Sequence, residues 1–200
     1  MSMNISDPVE TKRVLRSTLK QQRQKLDDAA RRRQDEALIA RCVDLIHEHG
    51  AETVAAYHPL PDEPGGPGFL PALRAAAGTV LLPISEAEGA MLWAPYEGEE
   101  AMAKGDLNIP EPVGERRDWR ALLDCDIVFL PALGANRRGF RLGKGAGYYD
   151  RTLARLAEAE APQPLLAVVL FDHEVTDDVP VEAHDMPVNV IVTAEALHRV

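Results

Sequence analysis

The sequence predicts an α/β fold, a single three-layer domain over residues 1–200 in which a mostly parallel central sheet is covered by helices on both faces. Three observations predict it. Short runs of Val, Leu, Ile and Phe, such as Asp126 to Pro131 and Leu165 to Phe171, lack the polar alternation of a half-exposed strand and suit strands buried on both faces. Between such runs lie stretches with apolar residues at helical spacing. A glycine-rich segment, Gly134 to Gly147, joins a strand to a helix, the kind of junction where free N–H groups and a helix dipole meet an anion. Two hundred residues suffice to bury a core without disulfides or a structural metal.

Val9 to Leu26 is a basic helix with Val14, Leu15 and Leu19 on its apolar side, and Lys12 and Arg16, four residues apart, share a face. A second helix runs from an Asp27 cap to Gly50 and turns Ala30, Ala37, Leu38, Val43, Leu45 and Ile46 to the core. Thr53 to Tyr57 is the first strand, and the Pro- and Gly-rich loop from His58 to Gly68 carries Glu63 where α/β folds place sites. Phe69 to Ala77 is a short helix stopped by Gly78, Thr79 to Pro83 a second strand, and Ala90 to Tyr96 a third, an edge strand because Pro95 withholds an N–H. Met91, Trp93 and Tyr96 either line a pocket or fill core. Leu107 to Pro112, with two prolines, is a rigid loop; Trp119 to Leu123 is a short helix before the strand ending at Pro131. The glycine-rich segment leads to a helix over Tyr148 to Ala159, then come a buried strand, an acidic loop from Asp172 to His184, a last strand from Asn189 to Thr193 and a terminal helical turn from Ala194 to Val200.

Composition excludes several classes. A net charge of −10 opposes general nucleic-acid binding, no apolar run approaches the roughly 20 residues of a membrane helix, and the first residues lack the apolar centre of a secretion signal. A cytoplasmic, monomeric protein is expected. Cys42 and Cys125 have no metal-like or redox-like neighbours, and His47 and His49 do not share a helical face.

Five basic residues, Arg137, Arg138, Arg141, Lys144 and Arg151, stand among the glycines of an otherwise acidic chain, and a local positive pocket suits a small anion. Gly139, Gly143, Gly145 and Gly147 let the backbone take positive φ and turn N–H groups toward it. Phe140-Arg141 follows the glycines where a P-loop requires Lys-Ser/Thr, and the dinucleotide glycine spacing is missing. No Gly-x-Ser-x-Gly, His-Glu-x-x-His or Cys-x-x-Cys occurs, which leaves phosphate chemistry favoured.

Arg141-Leu-Gly-Lys-Gly-Ala-Gly-Tyr-Tyr-Asp-Arg151, behind an apolar strand ending in proline, resembles the hallmark of the 5-formyltetrahydrofolate cyclo-ligase family, the 5,10-methenyltetrahydrofolate synthetases. Lys12-Arg-Val-Leu-Arg16, Glu63, Asn108-Ile-Pro-Glu-Pro112 and the late His184-Asp185 occur in the family's order. The resemblance implies a reaction that uses ATP and magnesium to convert 5-formyltetrahydrofolate, with or without a polyglutamate tail, into the 5,10-methenyl form. It implies that Lys12, Arg16, Arg138, Arg141 and Lys144 meet the nucleotide together with Gly139, Gly143, Gly145, Gly147, Tyr148, Tyr149 and Asp150, and that Arg141 and Lys144 stabilise the transferring phosphoryl group. Glu63, Trp93, Asn108 and Tyr148 fall to the folate, and Asp150 and Asp185 to magnesium, with a helix cap as the other reading of Asp150. One of the two tyrosines is expected to face ligand and the other core. Ala135-Asn136 stands where the family usually has Phe-Asp, and Asn189 where Asp is common. The alternative from another class is a non-catalytic folate- or nucleotide-binding protein on the same scaffold.

Overall fold

The structure, a computed structural model, describes residues 7–86, 89–105, 108–182 and 185–200. Pro8–Lys25 (α1) starts at Asp7, whose side chain accepts from Val9 N at 3.0 Å, and Asp28–His49 (α2) starts at Asp27, which accepts from Ala30 N at 2.8 Å. Gly50 ends α2 in the left-handed conformation. The other elements are Thr53–Ala55 (β1), Phe69–Ala77 (α3), Thr79–Ser85 (β2), Met91–Pro95 (β3), Met102–Lys104 (β4), Pro110–Pro112 (β5), Ile127–Pro131 (β6), Gly134–Ala135 (β7), Arg141–Leu142 (β8), Tyr148–Ala157 (α4), Leu165–Val169 (β9), Val190–Val192 (β10) and Leu197–Arg199 (β11).

Seven strands form the main sheet in the order β11-β10-β9-β6-β1-β2-β3, parallel except at its two edges. Two helices and one helix with a 3-10 turn cover its faces, as expected. Because side chains alternate along a strand, Val54, Val80, Leu82, Ile127, Phe129 and Val169 pack on one face against Leu38 and Leu45 of α2 and Phe69 and Leu73 of α3. Ala55, Leu81, Val128, Leu130, Val168 and Ile191 pack on the other against Leu153 and Leu156 of α4 and the turn Trp119–Asp124.

The C-terminal helical turn is a correction: Leu197–Arg199 is a strand, antiparallel to β10. Seven residues are too few to sustain a helix in isolation, whereas β10 presents an open ladder, and Thr193 reverses the chain through its bonds with Ala196 (N–H to carbonyl, 3.0 Å; hydroxyl accepting from Ala196 N, 3.1 Å). Two further pieces carry no sequence pattern long enough to read: the hairpin β7-β8, which opens the glycine-rich segment, and the β4-β5 ribbon.

α1 lies across the carboxyl end of the sheet, with Leu19 and Leu15 against Leu133, Leu142 and Val179. Its anchor is Arg23, fully buried, which pairs through Nε and Nη2 with the carboxylate of Glu174 and donates from Nη2 to Ala132 O at 2.5 Å. Phe171 N also donates to Glu174 at 3.0 Å. Burial pushes the Glu174 carboxyl up to about 7 while the Arg23 guanidinium beside it pulls the other way.

Candidate active site

The chain leaves β1 toward β2 on one side and toward β6 on the other, so the strand order reverses between β1 and β6, and open α/β sheets bind ligands at the carboxyl ends of such neighbours. A cleft opens there, with about 940 Å³ of empty space including its mouth. Tyr57 and Glu63 line it from the segment after β1, Pro83, Ser85 and Met91 from the β2-β3 hairpin, and Pro131 from the end of β6. Arg141 and the run from Gly143 to Asp150 form the opposite wall.

The glycine loop itself is Gly143 to Gly147, with Gly145 at φ 105° and Gly147 at φ 73°. Among the described residues no backbone carbonyl accepts from the N–H groups of Gly143 to Gly147, which leaves a row of donors at the start of α4. Arg16 of α1 fixes this loop from outside, donating from Nε to Gly143 O at 2.9 Å. One turn earlier, Lys12 is held by Glu182 at 2.5 Å and Asp185 at 3.1 Å, so Arg16 meets the glycine loop and Lys12 the Asp185 segment, and neither lines the cleft itself. His184 lies outside the described residues.

Arg141 is the deep cation of the cleft. Its side chain is 4% exposed, pairs through Nη2 with Asp150 and donates from Nη1 to Met186 O at 3.2 Å. Burial holds this guanidinium below its usual range, and the carboxylates of Asp150 and Asp185 work against that shift. Asp150, with a 57% exposed side chain, does not cap α4: Gly147 occupies the cap position, and the carboxylate has turned to Arg141 instead. On the facing wall Glu63 is almost fully buried; it accepts from Leu60 N at 3.0 Å and from Lys144 Nζ at 2.6 Å. The lysine of the glycine loop therefore spans the cleft.

Several expected site residues stand elsewhere. Trp93 is 1% exposed and packs edge to face on Tyr149 at 6.5 Å between ring centroids; it backs the cleft wall without lining the cleft, because its face of β3 is the one covered by α4. Arg138 is exposed over the ring of Phe140, and Gly139 serves the turn before β8, where its φ of 82° and the closeness of Val188 O leave no room for a side chain. Arg137 faces Asp177, so of the five clustered basic residues only Arg141 and Lys144 line the cleft. Asn108, at φ 62°, borders a neighbouring cavity with Arg31, Arg32 and His58. Tyr148 and Tyr149 both line the cleft, Tyr149 with its hydroxyl pushed up by burial.

The two asparagines at unusual positions are structural. Asn136 accepts from Arg138 N and Phe140 N and shapes the turn between β7 and β8, and Asn189 accepts from Leu166 N and ties β9 to the start of β10. Tyr57 and Ser85, which the sequence did not single out, also line the cleft, as do Ile109 and Glu111 of the Asn108 to Pro112 motif, which it singled out only as a loop. Glu111 offered one signal, an acidic residue inside a rigid Pro-Glu-Pro; it is nearly buried and accepts from Ser85 N at 2.9 Å.

Among the described residues no helix is long and apolar enough to cross a membrane. The chain is 33% identical over 188 residues to the 5-formyltetrahydrofolate cyclo-ligase of Mycolicibacterium smegmatis, covering 92% of this chain and 93% of that protein. It is 30% identical over 145 residues to the Escherichia coli K12 protein of the same name, 72% and 78% of the two chains. The NMR structure of Aquifex aeolicus 5,10-methenyltetrahydrofolate synthetase superposes with a TM-score of 0.77 at 29% identity, over 94% of this chain and 92% of the other. A Mycoplasma pneumoniae 5,10-methenyltetrahydrofolate synthetase, at 19% identity and a TM-score of 0.71 over 92% and 98%, shares the fold. The profile of the 5-formyltetrahydrofolate cyclo-ligase family matches residues 8–194, and the chain belongs to that family.

Proposed function

We propose that this protein converts 5-formyltetrahydrofolate to 5,10-methenyltetrahydrofolate at the expense of ATP, with magnesium. One observation carries the reading: a buried carboxylate, Glu63, faces two cations, Arg141 and Lys144, across one cleft, beside a row of N–H groups to which no carbonyl among the described residues is bonded. The carboxylate suits the N–H edge of a pterin, and the opposite wall suits a triphosphate. A formamide oxygen is a poor leaving group. In the proposed reaction it attacks the γ-phosphorus, the bond to the β-phosphate oxygen breaks and ADP leaves; N10 then attacks the activated formyl carbon and gives up its proton to solvent, and phosphate departs with the former formyl oxygen. The protein's share is alignment and charge: Arg141, immobilised by Asp150 and Met186 O, meets the negative charge spread over the transferring group, and the N–H groups of Gly143 to Gly147 hold the neighbouring phosphates.

Magnesium fits this donor set. Among the described residues no three His, Cys, Asp or Glu side chains gather to hold a metal alone, but this ion needs only one or two carboxylates beside phosphate oxygens. Both carboxylates already meet a cation, Asp150 meeting Arg141 and Asp185 meeting Lys12, but the Asp150 side chain is 57% exposed against 15% for Asp185 and suits that part better. The ion when bound neutralises phosphate charge. Asp150→Asn should fold, since the wild-type side chain is mostly exposed and caps nothing, but should turn over more slowly and need more magnesium; an unchanged magnesium dependence removes Asp150 from this role.

Lys144 has a second task in this scheme. Its ammonium pairs with Glu63 across the cleft, and in the proposed complex a substrate N–H takes Glu63 while the lysine turns to phosphate. Lys144→Met is expected to lower kcat by at least about tenfold, about 1.4 kcal/mol of transition-state stabilisation, and a wild-type kcat at saturating MgATP excludes it. The activity itself is tested by incubating the protein with 5-formyltetrahydrofolate and MgATP. Growth of the methenyl chromophore matched by ADP release is the expected result; tight folate binding without turnover would instead identify a binding protein.

A further inference from the structure

Arg151 belongs to the family-like motif but does not line the cleft, and its contacts give it a different job. From the first turn of α4 it donates through Nε and Nη2 to Gly89 O at 3.2 and 3.1 Å, and from Nη2 to Ala146 O at 3.1 Å. Its guanidinium carbon sits 5.4 Å from the centroid of the Tyr148 ring. A Cβ on Gly89 would overlap Nη2, and one on Gly147 would come within 2.8 Å of Nη1, so glycines on two separate elements leave the slot that the guanidinium fills. Gly89 belongs to the connection between β2 and β3, whose Ser85 and Met91 form one wall of the cleft; Ala146, Gly147 and Tyr148 belong to the other. The planar fork bonds both carbonyls while its face covers the tyrosine, a combination that lysine cannot copy.

We infer that Arg151 is a positioning residue that sets the separation of the hairpin wall from the glycine loop, and with it the distance between phosphoryl donor and formyl acceptor. The inference rests on the reaction proposed above. Each substrate binds mainly to one wall, so loosening the clamp should leave binding nearly intact and spoil the alignment, where displacements on the order of 1 Å cost up to about a hundredfold.

The test measures kcat and both KM values for Arg151→Ala and Arg151→Lys, with melting temperature and the folded fraction determined alongside. Wild-type turnover in the same assay is the control: if the wild type is inactive the proposed reaction fails, whereas an active wild type isolates the role of Arg151. Expected is a kcat per folded molecule about tenfold lower in Arg151→Ala, KM values for ATP and folate within about threefold of wild type, and partial recovery on adding millimolar guanidinium, which can enter the vacated and solvent-exposed slot. A kcat per folded molecule equal to wild type, a loss confined to KM, or a kcat loss that guanidinium leaves untouched would overturn the inference. If Arg151→Ala does not fold, Arg151→Lys decides by the same split: kcat reduced with unchanged KM values supports the clamp, and unchanged kcat rejects it.

Discussion

Arg23→Met should destabilise the fold by about 3–5 kcal/mol, the largest stability effect we expect from one substitution in this chain. The change removes the only counter-charge bonded to Glu174, which is fully buried, and leaves its carboxyl with a single N–H donor, Phe171, among the described residues. It also takes away the donor to Ala132 O that pins α1 to the end of β6. Arg23→Met with Glu174→Leu should regain most of the loss, because replacing both members of a buried pair is close to neutral while orphaning one is not. The pH dependence carries a definite sign. Wild-type Glu174, at about 7, lies above the value near 4.3 of an unfolded glutamate, so wild-type stability from this group declines as pH rises between those values and then levels. Without Arg23 the folded value moves higher, the decline continues past about 7, and the deficit of the variant is larger at about pH 8 than at about pH 6. Urea midpoints at unchanged m measure both effects; a deficit independent of pH, or a double variant no better than the single, contradicts the account.

Arg141→Met is expected to lower kcat by on the order of 10²–10³, equivalent to about 2.7–4 kcal/mol, which is the usual loss when one preorganised donor to a developing charge is removed. The effect exceeds that of Lys144 for a structural reason: the Arg141 side chain is 4% exposed and fixed by two bonded groups, whereas Lys144 is 42% exposed on a glycine loop. A desolvated, immobile cation interacts strongly and needs no reorganisation when charge appears. The fold should tolerate the change, since the carboxylate it abandons, Asp150, is mostly in water. Arg141→Lys keeps the charge but cannot span Asp150 and Met186 O together, so it should restore little. Single-turnover rates at saturating MgATP give the answer, and a rate within about threefold of wild type for Arg141→Met would rule out a role in stabilising the transferring group.

The buried strands and amphipathic helices were readable because each repeats one physical condition along its length. Leu165–Val169 is apolar because both faces are covered, and Asp27 and Gly50 bracket α2 by satisfying or ending backbone groups locally. β11 was unreadable because its pairing is decided by the vacant side of β10, which a local pattern of three residues does not encode. The site followed the same division. Gly143 to Gly147, Arg141, Lys144 and Glu63 declared themselves through residue type and motif order, and the fold brings them to one cleft. Trp93 and Arg138 misled because a large aromatic or a cation next to a motif says nothing of the side on which it emerges: α4 covers one, and solvent and Phe140 take the other. Glu111 and Ser85 joined the cleft through a contact between distant segments, visible only once β2 and β5 are neighbours.

Both margins of the main sheet are poor templates. On the outer side of β3, Trp93 exchanges two backbone bonds with Arg117 at 2.8 and 2.9 Å, and Pro95 has no hydrogen to donate. At the opposite margin β11 is only three residues long, and its ladder with β10 closes where Val200 N donates to Asn189 O. With one margin partly paired and the other three residues long, a foreign strand meets few unpaired groups in line, so end-on growth of the sheet into fibrils, to which an apolar interior of this kind is prone once exposed, finds a short starting surface among the described residues.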